Sequence, residues 1–218
     1  MKIAFQDPTF SFQLLRAMSG TYYKGADIGE CLSTAYRIKE GDFESWYQEW
    51  LKTANRVHKY ADNCISAGHK VSAREAYLRA SNYYWVAEFL LMDPEDQRIQ
   101  TTWGGSRDCF GNAARLFSPP IESVEIPYEG TTLPGYFYHA CVVDGGNSDR
   151  VENNASNASS LKPILIVHGG FDSTLEELYT SAAAPALERG YNCFTFEGPG
   201  QGGVIRKKRF HLDMIGKK

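Results

Sequence analysis

Pro163-Ile-Leu-Ile-Val-His-Gly-Gly170 is a continuous apolar run closed by a histidine and two glycines. A strand that is apolar at every position has no solvent face, so the run predicts a strand covered on both sides in a mainly parallel sheet. Ser173-Thr-Leu-Glu176 comes next, with a hydroxyl three residues ahead of a carboxylate, the pattern of a reciprocal N-terminal cap. It predicts a helix carrying Leu175, Leu178, Ala182, Ala186 and Leu187, bent at Pro185 and ended by Gly190. Tyr191–Phe196 reads as the following strand. Strand, glycine turn, helix and strand make a βαβ unit with a right-handed crossover, so this part of the chain is α/β.

Working upstream, Val124, Ile126 and Tyr128 alternate with polar residues and Pro127, a period of two that predicts an edge strand. Glu129-Gly130 turns the chain into a second strand, Leu133–Val143, giving a β-hairpin. Residues 144–160 are nearly free of large apolar side chains and predict a flexible insertion. From about residue 10 to 117 the period is helical. Asp42 is a good N-cap, and Phe43, Trp46, Tyr47, Trp50, Leu51, Ala54, Val57, Ala61, Cys64 and Ile65 fall on one stripe before Gly68. Ser72-Ala-Arg-Glu75 predicts a capping box for a second helix from Ala73 to Met92, and a third stretch, Pro94 to Phe117, should bend or split at Gly104-Gly105. The expected divisions are residues 1–118 helical, 119–203 α/β, and 204–218 a basic tail.

The 218 residues are 43% hydrophobic and 22% charged, which excludes a wholly disordered chain. The longest apolar runs are far short of the roughly 20 residues that span a bilayer, so no membrane partner is expected. Met1-Lys2 and the residues after them lack the apolar region of a signal peptide, so the expected address is cytoplasmic. The Asn154 and Asn157 glycosylation-type triplets then read as composition. Five scattered cysteines without a C-x-x-C pair read as buried thiols. The net charge is −3, yet residues 206–218 hold six Lys or Arg against one Asp, so the main body is more acidic still. A nucleic-acid partner is not expected.

The histidine and glycine pair at a strand end is the most informative local motif, because small residues there let backbone N–H groups face an oxyanion. A tight turn that needs glycine for its conformation reads equally from the same residues. Asp172, at the mouth of that loop, suits either acid–base chemistry or helix capping. His168 reads as structural or as part of an oxyanion loop. Gly198-Pro-Gly-Gln-Gly-Gly203 matches G-x-G-x-x-G, but Pro199 removes an N–H from the turn, the residues beyond Gly203 make no convincing helix, and no acidic strand follows. No cofactor is expected, and His58, His69, His139 and His211 have no metal-ligand spacing. Trp46, Trp50 and Tyr84 are candidates for pocket walls or for helix-packing core.

Gly41-Asp-Phe-Glu-Ser-Trp-Tyr-Gln-Glu-Trp50, Asp108-Cys-Phe110, Val124-Glu-Ile-Pro-Tyr-Glu-Gly130, Leu133-Pro-Gly-Tyr-Phe137, His168-Gly-Gly170 with Asp172-Ser-Thr174, and Phe196-Glu-Gly-Pro-Gly-Gln-Gly202 occur in one order. Over about residues 30–203 this string resembles the α/β-hydrolases of the 2,6-dihydroxypseudooxynicotine hydrolase type, including fungal polyketide-shortening hydrolases. The resemblance implies an N-terminal helical cap domain followed by the first half of an α/β-hydrolase core. It also implies hydrolysis of a carbon–carbon or ester-type bond in an aromatic or polyketide small molecule. In such enzymes the loop after the glycine pair supplies oxyanion-hole N–H groups, here Gly169, Gly170 and Phe171, with Asp172 beside them as a candidate acidic group. The cap would contribute pocket residues, for which Trp46, Trp50 and Tyr84 are the candidates.

The family's serine nucleophile sits in a G-x-S-x-G elbow after the next strand, followed by an aspartate and a histidine. These 218 residues contain no G-x-S-x-G. The expectation is therefore a C-terminally truncated, catalytically silent hydrolase whose sheet is incomplete. The strand Ile164–Val167 would lie bare on one side and act as a template for self-association into a homo-oligomer. The rival expectation is a non-catalytic helical interaction or dimerisation module.

Overall fold

The computed structural model describes residues 3–141 and 161–208, which divide into two compact units at Pro120. The expected insertion at 144–160, with Asn154 and Asn157, and most of the basic tail lie outside the described residues.

The first unit is helical: α1 (Pro8–Ser19), α2 (Ile28–Ala35), α3 (Phe43–Ser66), α4 (Lys70–Glu88) and α5 (Gln97–Ala114). Local chemistry sets the helix starts. The carboxylates of Asp7, Asp27, Asp42 and Asp96 each accept a backbone N–H from the first turn of α1, α2, α3 and α5. Gly68, at a φ of 78°, reverses the chain after α3 as the sequence predicts. Helix α4 departs from expectation. It begins at Lys70 behind His69, with no side-chain cap, so Ser72 lies inside its first turn and the predicted capping box is not formed. The helix also stops at Glu88, short of Met92. Helix α5 is unbroken at Gly104-Gly105. A Cβ at Gly105 would lie 3.3 Å from the Tyr84 ring, so this glycine serves close approach to α4 rather than a bend.

The aromatic residues of the α3 stripe form the unit's core. Trp46 and Trp50 are fully buried, with ring centroids 5.8 Å apart; Phe10 meets Trp46 edge-on at 5.1 Å, and Tyr83 lies 5.4 Å from Trp50. The Trp46 indole N–H donates to the Val86 carbonyl, at 2.8 Å, which joins α3 to α4. Tyr83 accepts from the Asp27 N–H and donates to Glu30, which also receives Arg79 at 3.0 Å. Burial raises the Tyr83 phenol well above its ordinary range and pushes the neighbouring Cys31 thiol up to about 12.

The second unit holds a four-stranded sheet, β1 (Glu122–Tyr128), β2 (Thr131–Tyr138), β3 (Ile164–His168) and β4 (Asn192–Phe196), in the order β1-β2-β4-β3. Glu129 and Gly130 both have positive φ, the turn that suits the twist of the β1–β2 hairpin. Strand β2 ends at Tyr138, earlier than expected, and pairs antiparallel with β4. Strands β3 and β4 are parallel and in register from Ile164 opposite Asn192 to His168 opposite Phe196. Between them the chain forms a short π-helix at Tyr179–Ala183 and a short α-helix, α6 (Ala184–Glu188). Pro185 lacks the N–H that would bond back to Ser181, so the wider turn precedes it.

The prediction that Pro163–Val167 is covered on both faces is not met. β3 is the edge strand, and Ile164, Leu165 and Ile166 are 46%, 40% and 61% exposed. One sheet face is covered: Tyr138 and Cys193 are buried, and Tyr138 stacks on Tyr179 at 6.1 Å. On the other, Val124, Phe137, Ile164 and Phe194 line an open cleft of about 420 Å³, beside a His139–Glu122 pair at 2.8 Å. The last element among the described residues is helix α7 (Gly202–Lys208), where no convincing helix is predicted from the sequence.

None of the five cysteines is in a disulfide; Cys31, Cys64, Cys109 and Cys193 are buried, but Cys141 is exposed, a correction to the reading of all five as buried. Burial pushes the Cys193 thiol up to about 11 and raises Cys109 further. At pH 8 the native protein should therefore react with one equivalent of a thiol-selective chromogenic disulfide, and with five in guanidinium chloride. A Cβ at Gly135 would lie 2.8 Å from the Thr195 carbonyl oxygen across the β2–β4 pairing. Gly135→Ala should cost about 1–3 kcal/mol, read as a lower thermal midpoint.

Candidate active-site loops

Parallel pairing of β3 and β4 brings the loops that leave their carboxyl ends, residues 169–177 and 197–201, to one end of the sheet, where open α/β sheets place their ligands. The first loop is shaped by glycine. A Cβ at Gly169 would fall 2.5 Å from the Ser173 Cβ, so no side chain fits there. Phe171 and Asp172 are exposed at the loop's tip, Phe171 by 82%. Ser173 does not cap a helix with Glu176; its hydroxyl donates to Glu177 at 3.0 Å, and the helical conformation starts only at Leu178. Both the capping box and the early helix start predicted from Ser173-Thr-Leu-Glu176 are thus corrected.

Gln201 ties the two loops together. Its Nε2 donates to the Gly169 carbonyl and lies 3.5 Å from that of Gly170, while its Oε1 accepts the Gly198 N–H at 2.7 Å. These peptide units are trans, so a carbonyl turned toward Gln201 turns the N–H of the same unit away from it. The amides of Gly170 and Phe171 are thereby turned away from Gln201. His168 is exposed, with Nδ1 2.9 Å from its neighbour's carbonyl at Gly169 and 3.4 Å from Gln201 Nε2. It belongs to the loop's hydrogen-bonded frame.

Below the loops lies Glu197, buried to 4% exposure. Oε1 accepts the Leu175 N–H at 2.9 Å and Oε2 accepts the Gly203 N–H at 2.8 Å. Gly202, at positive φ, makes room: a Cβ there would lie 1.9 Å from Oε1. Sequence reasoning took the glycines of Gly198–Gly203 as loop formers and missed Glu197 and Gln201. The available signal was a carboxylate placed directly after a strand and ahead of a glycine-rich turn.

The aromatic candidates sit in the helical unit. Trp46 and Trp50 are inside its core. Tyr84 is at the edge of a polar group in which its hydroxyl donates to Asn55 at 2.7 Å and contacts His58 Nδ1 at 3.1 Å. Burial pushes this phenol up to about 12. Among the described residues no group of side chains is arranged to hold a metal ion, and no helix is long and apolar enough to cross a membrane.

No family model matches the chain. Sequence comparison finds fungal hydrolases: hydrolase LUC6 of Fusarium sp, 43% identical over 210 residues, covering 95% of this chain and 47% of the relative. The 20-hydroxy-prefusarin hydrolase FUS2 of Gibberella moniliformis is 38% identical, covering 97% and 48%. Among solved structures, the 2,6-dihydroxy-pseudo-oxynicotine hydrolase aligns with a TM-score of 0.67 at 27% identity, over 87% of this chain and 48% of that one. The fold is accordingly that of an α/β-hydrolase with an N-terminal helical region and an incomplete sheet. Within that class the chain is similar to these fungal and pseudooxynicotine hydrolases, and it spans about half the length of the curated relatives it matches.

Gly169→Ala should displace Ser173 and cost about 1–3 kcal/mol. In 15N–1H spectra the amide resonances of residues 168–175 should move, while those of α3 stay in place.

Proposed function

We propose that this chain carries the cap and the first half of the core of a hydrolase acting on carbon–carbon or ester-type bonds in aromatic or polyketide small molecules. Its role in that reaction is to supply the oxyanion donors Gly169, Gly170 and Phe171, with Asp172 as a candidate acidic group and Trp46, Trp50 and Tyr84 as candidate pocket residues of the cap. The observation that carries this reading is the loop frame: Gln201 bonds the Gly169 carbonyl and lies 3.5 Å from that of Gly170, which turns the amides of Gly170 and Phe171 away from it. The reading takes a cytoplasmic setting, no nucleic-acid partner and no cofactor with it. The chain's 218 residues contain no G-x-S-x-G, so this reading takes them as silent without a further segment that carries the nucleophile. Assayed with p-nitrophenyl esters and aromatic β-diketones, the purified protein should give no turnover above that of its Asp172→Ala variant. Turnover that survives purification and falls in that variant contradicts the reading.

A second reading, self-association, rests on β3, which among the described residues is an edge of the sheet; a helical interaction module remains the rival role for the first unit. Ile164-Leu-Ile-Val167 has no charge to repel a second copy and presents one row of backbone groups to it. Sedimentation should show a concentration-dependent dimer that Ile166→Lys dissociates; a monomer at all concentrations, or a heterogeneous aggregate, removes this reading.

A further inference from the structure

We propose that Glu197 is a positioning residue that holds the loop after β3 in its anion-facing shape. The inference rests on the oxyanion reading of that loop for its function, but not for its geometry. Glu197 follows β4 directly, and its side chain is buried between two segments distant from each other in sequence. One carboxylate oxygen takes the N–H of Leu175, at the far end of the loop, and the other takes that of Gly203, in the first turn of α7. The near end of the same loop is held separately, by Gln201 on the Gly169 carbonyl. The loop is thus fastened at both ends to residues 197–203, and the stretch between the fastenings contains the Gly170 and Phe171 amides.

The side-chain chemistry is specific. The Leu175 and Gly203 contacts are both backbone donors, so the residue must accept from each, and a carboxylate does so while a carboxamide of the same shape turns an NH2 toward one of the two N–H groups. An aspartate is one methylene shorter and does not span both. The space is specific as well, because any side chain at Gly202 would occupy the position of the Glu197 carboxylate. Glu197 and Gly202 therefore act as a pair: a carboxamide at 197 should release one of the two amides, and a side chain at 202 should release both.

The test is amide exchange in the 15N-labelled full chain, with methylphosphonate as the anion probe. In Glu197→Gln, exchange at Leu175 or Gly203, whichever faces the carboxamide NH2, should rise at least tenfold while amides of α3 are unchanged. Gly202→Ala should raise both, and this second variant serves if the first does not fold. In the wild-type protein methylphosphonate should shift the Gly170 and Phe171 amides, with an affinity that falls at least fivefold in Glu197→Gln. Unchanged exchange in both variants, or equal methylphosphonate affinity in wild type and Glu197→Gln, overturns the proposal. Faster exchange in the variants with no methylphosphonate response in the wild type supports the fastening by Glu197 and instead removes the oxyanion reading of the loop.

Discussion

The parallel pairing of β3 on β4 is the constraint on which the functional half of the molecule depends. Setting His168 opposite Phe196 brings residues nearly thirty positions apart to a common level, and each strand then releases its loop at the same end. Parallel neighbours cannot be joined by a tight turn, so the chain between them must run back along the sheet. That return segment, Tyr179–Glu188, is what buries Tyr138 and Cys193. Loop placement and the coverage of one sheet face follow from the same topology.

Around that pairing, polar side chains divide the work with glycines. Glycine at 169 and 202 supplies space that no other residue leaves, and the side chains of Glu197 and Gln201 fill that space with directed hydrogen bonds. Buried carboxylates are costly unless their lone pairs are used. Glu197 accepts from two backbone donors, the N–H groups of Leu175 and Gly203, and so adds order to the loops.

Much of the fold was legible because period and punctuation agreed. The α3 stripe with Asp42 before it and Gly68 after it was readable from side-chain spacing alone, as were the hairpin turn at Glu129-Gly130 and the strand positions of β3 and β4. The misreadings share a cause: a local motif was outweighed by packing. Ser72 and Ser173 each stand three residues before a glutamate, yet α4 begins earlier and the second helix later, because the cap is only one small term among tertiary contacts. Gly104-Gly105 looked like a break, but the Tyr84 ring needs the room. The candidate loop Gly169–Asp172 was visible as a strand followed by glycines. Its supports were not, since nothing in a sequence says which amide a carboxylate at 197 will reach.

Strand β3 has a further consequence for the life of the chain outside the test tube. Five residues without a charged side chain, three of them large aliphatics open to solvent on both pleats, form the type of segment that chaperones retain and quality-control proteases sample. Anything that covers Ile164, Leu165 and Ile166 withdraws the strand from that sampling.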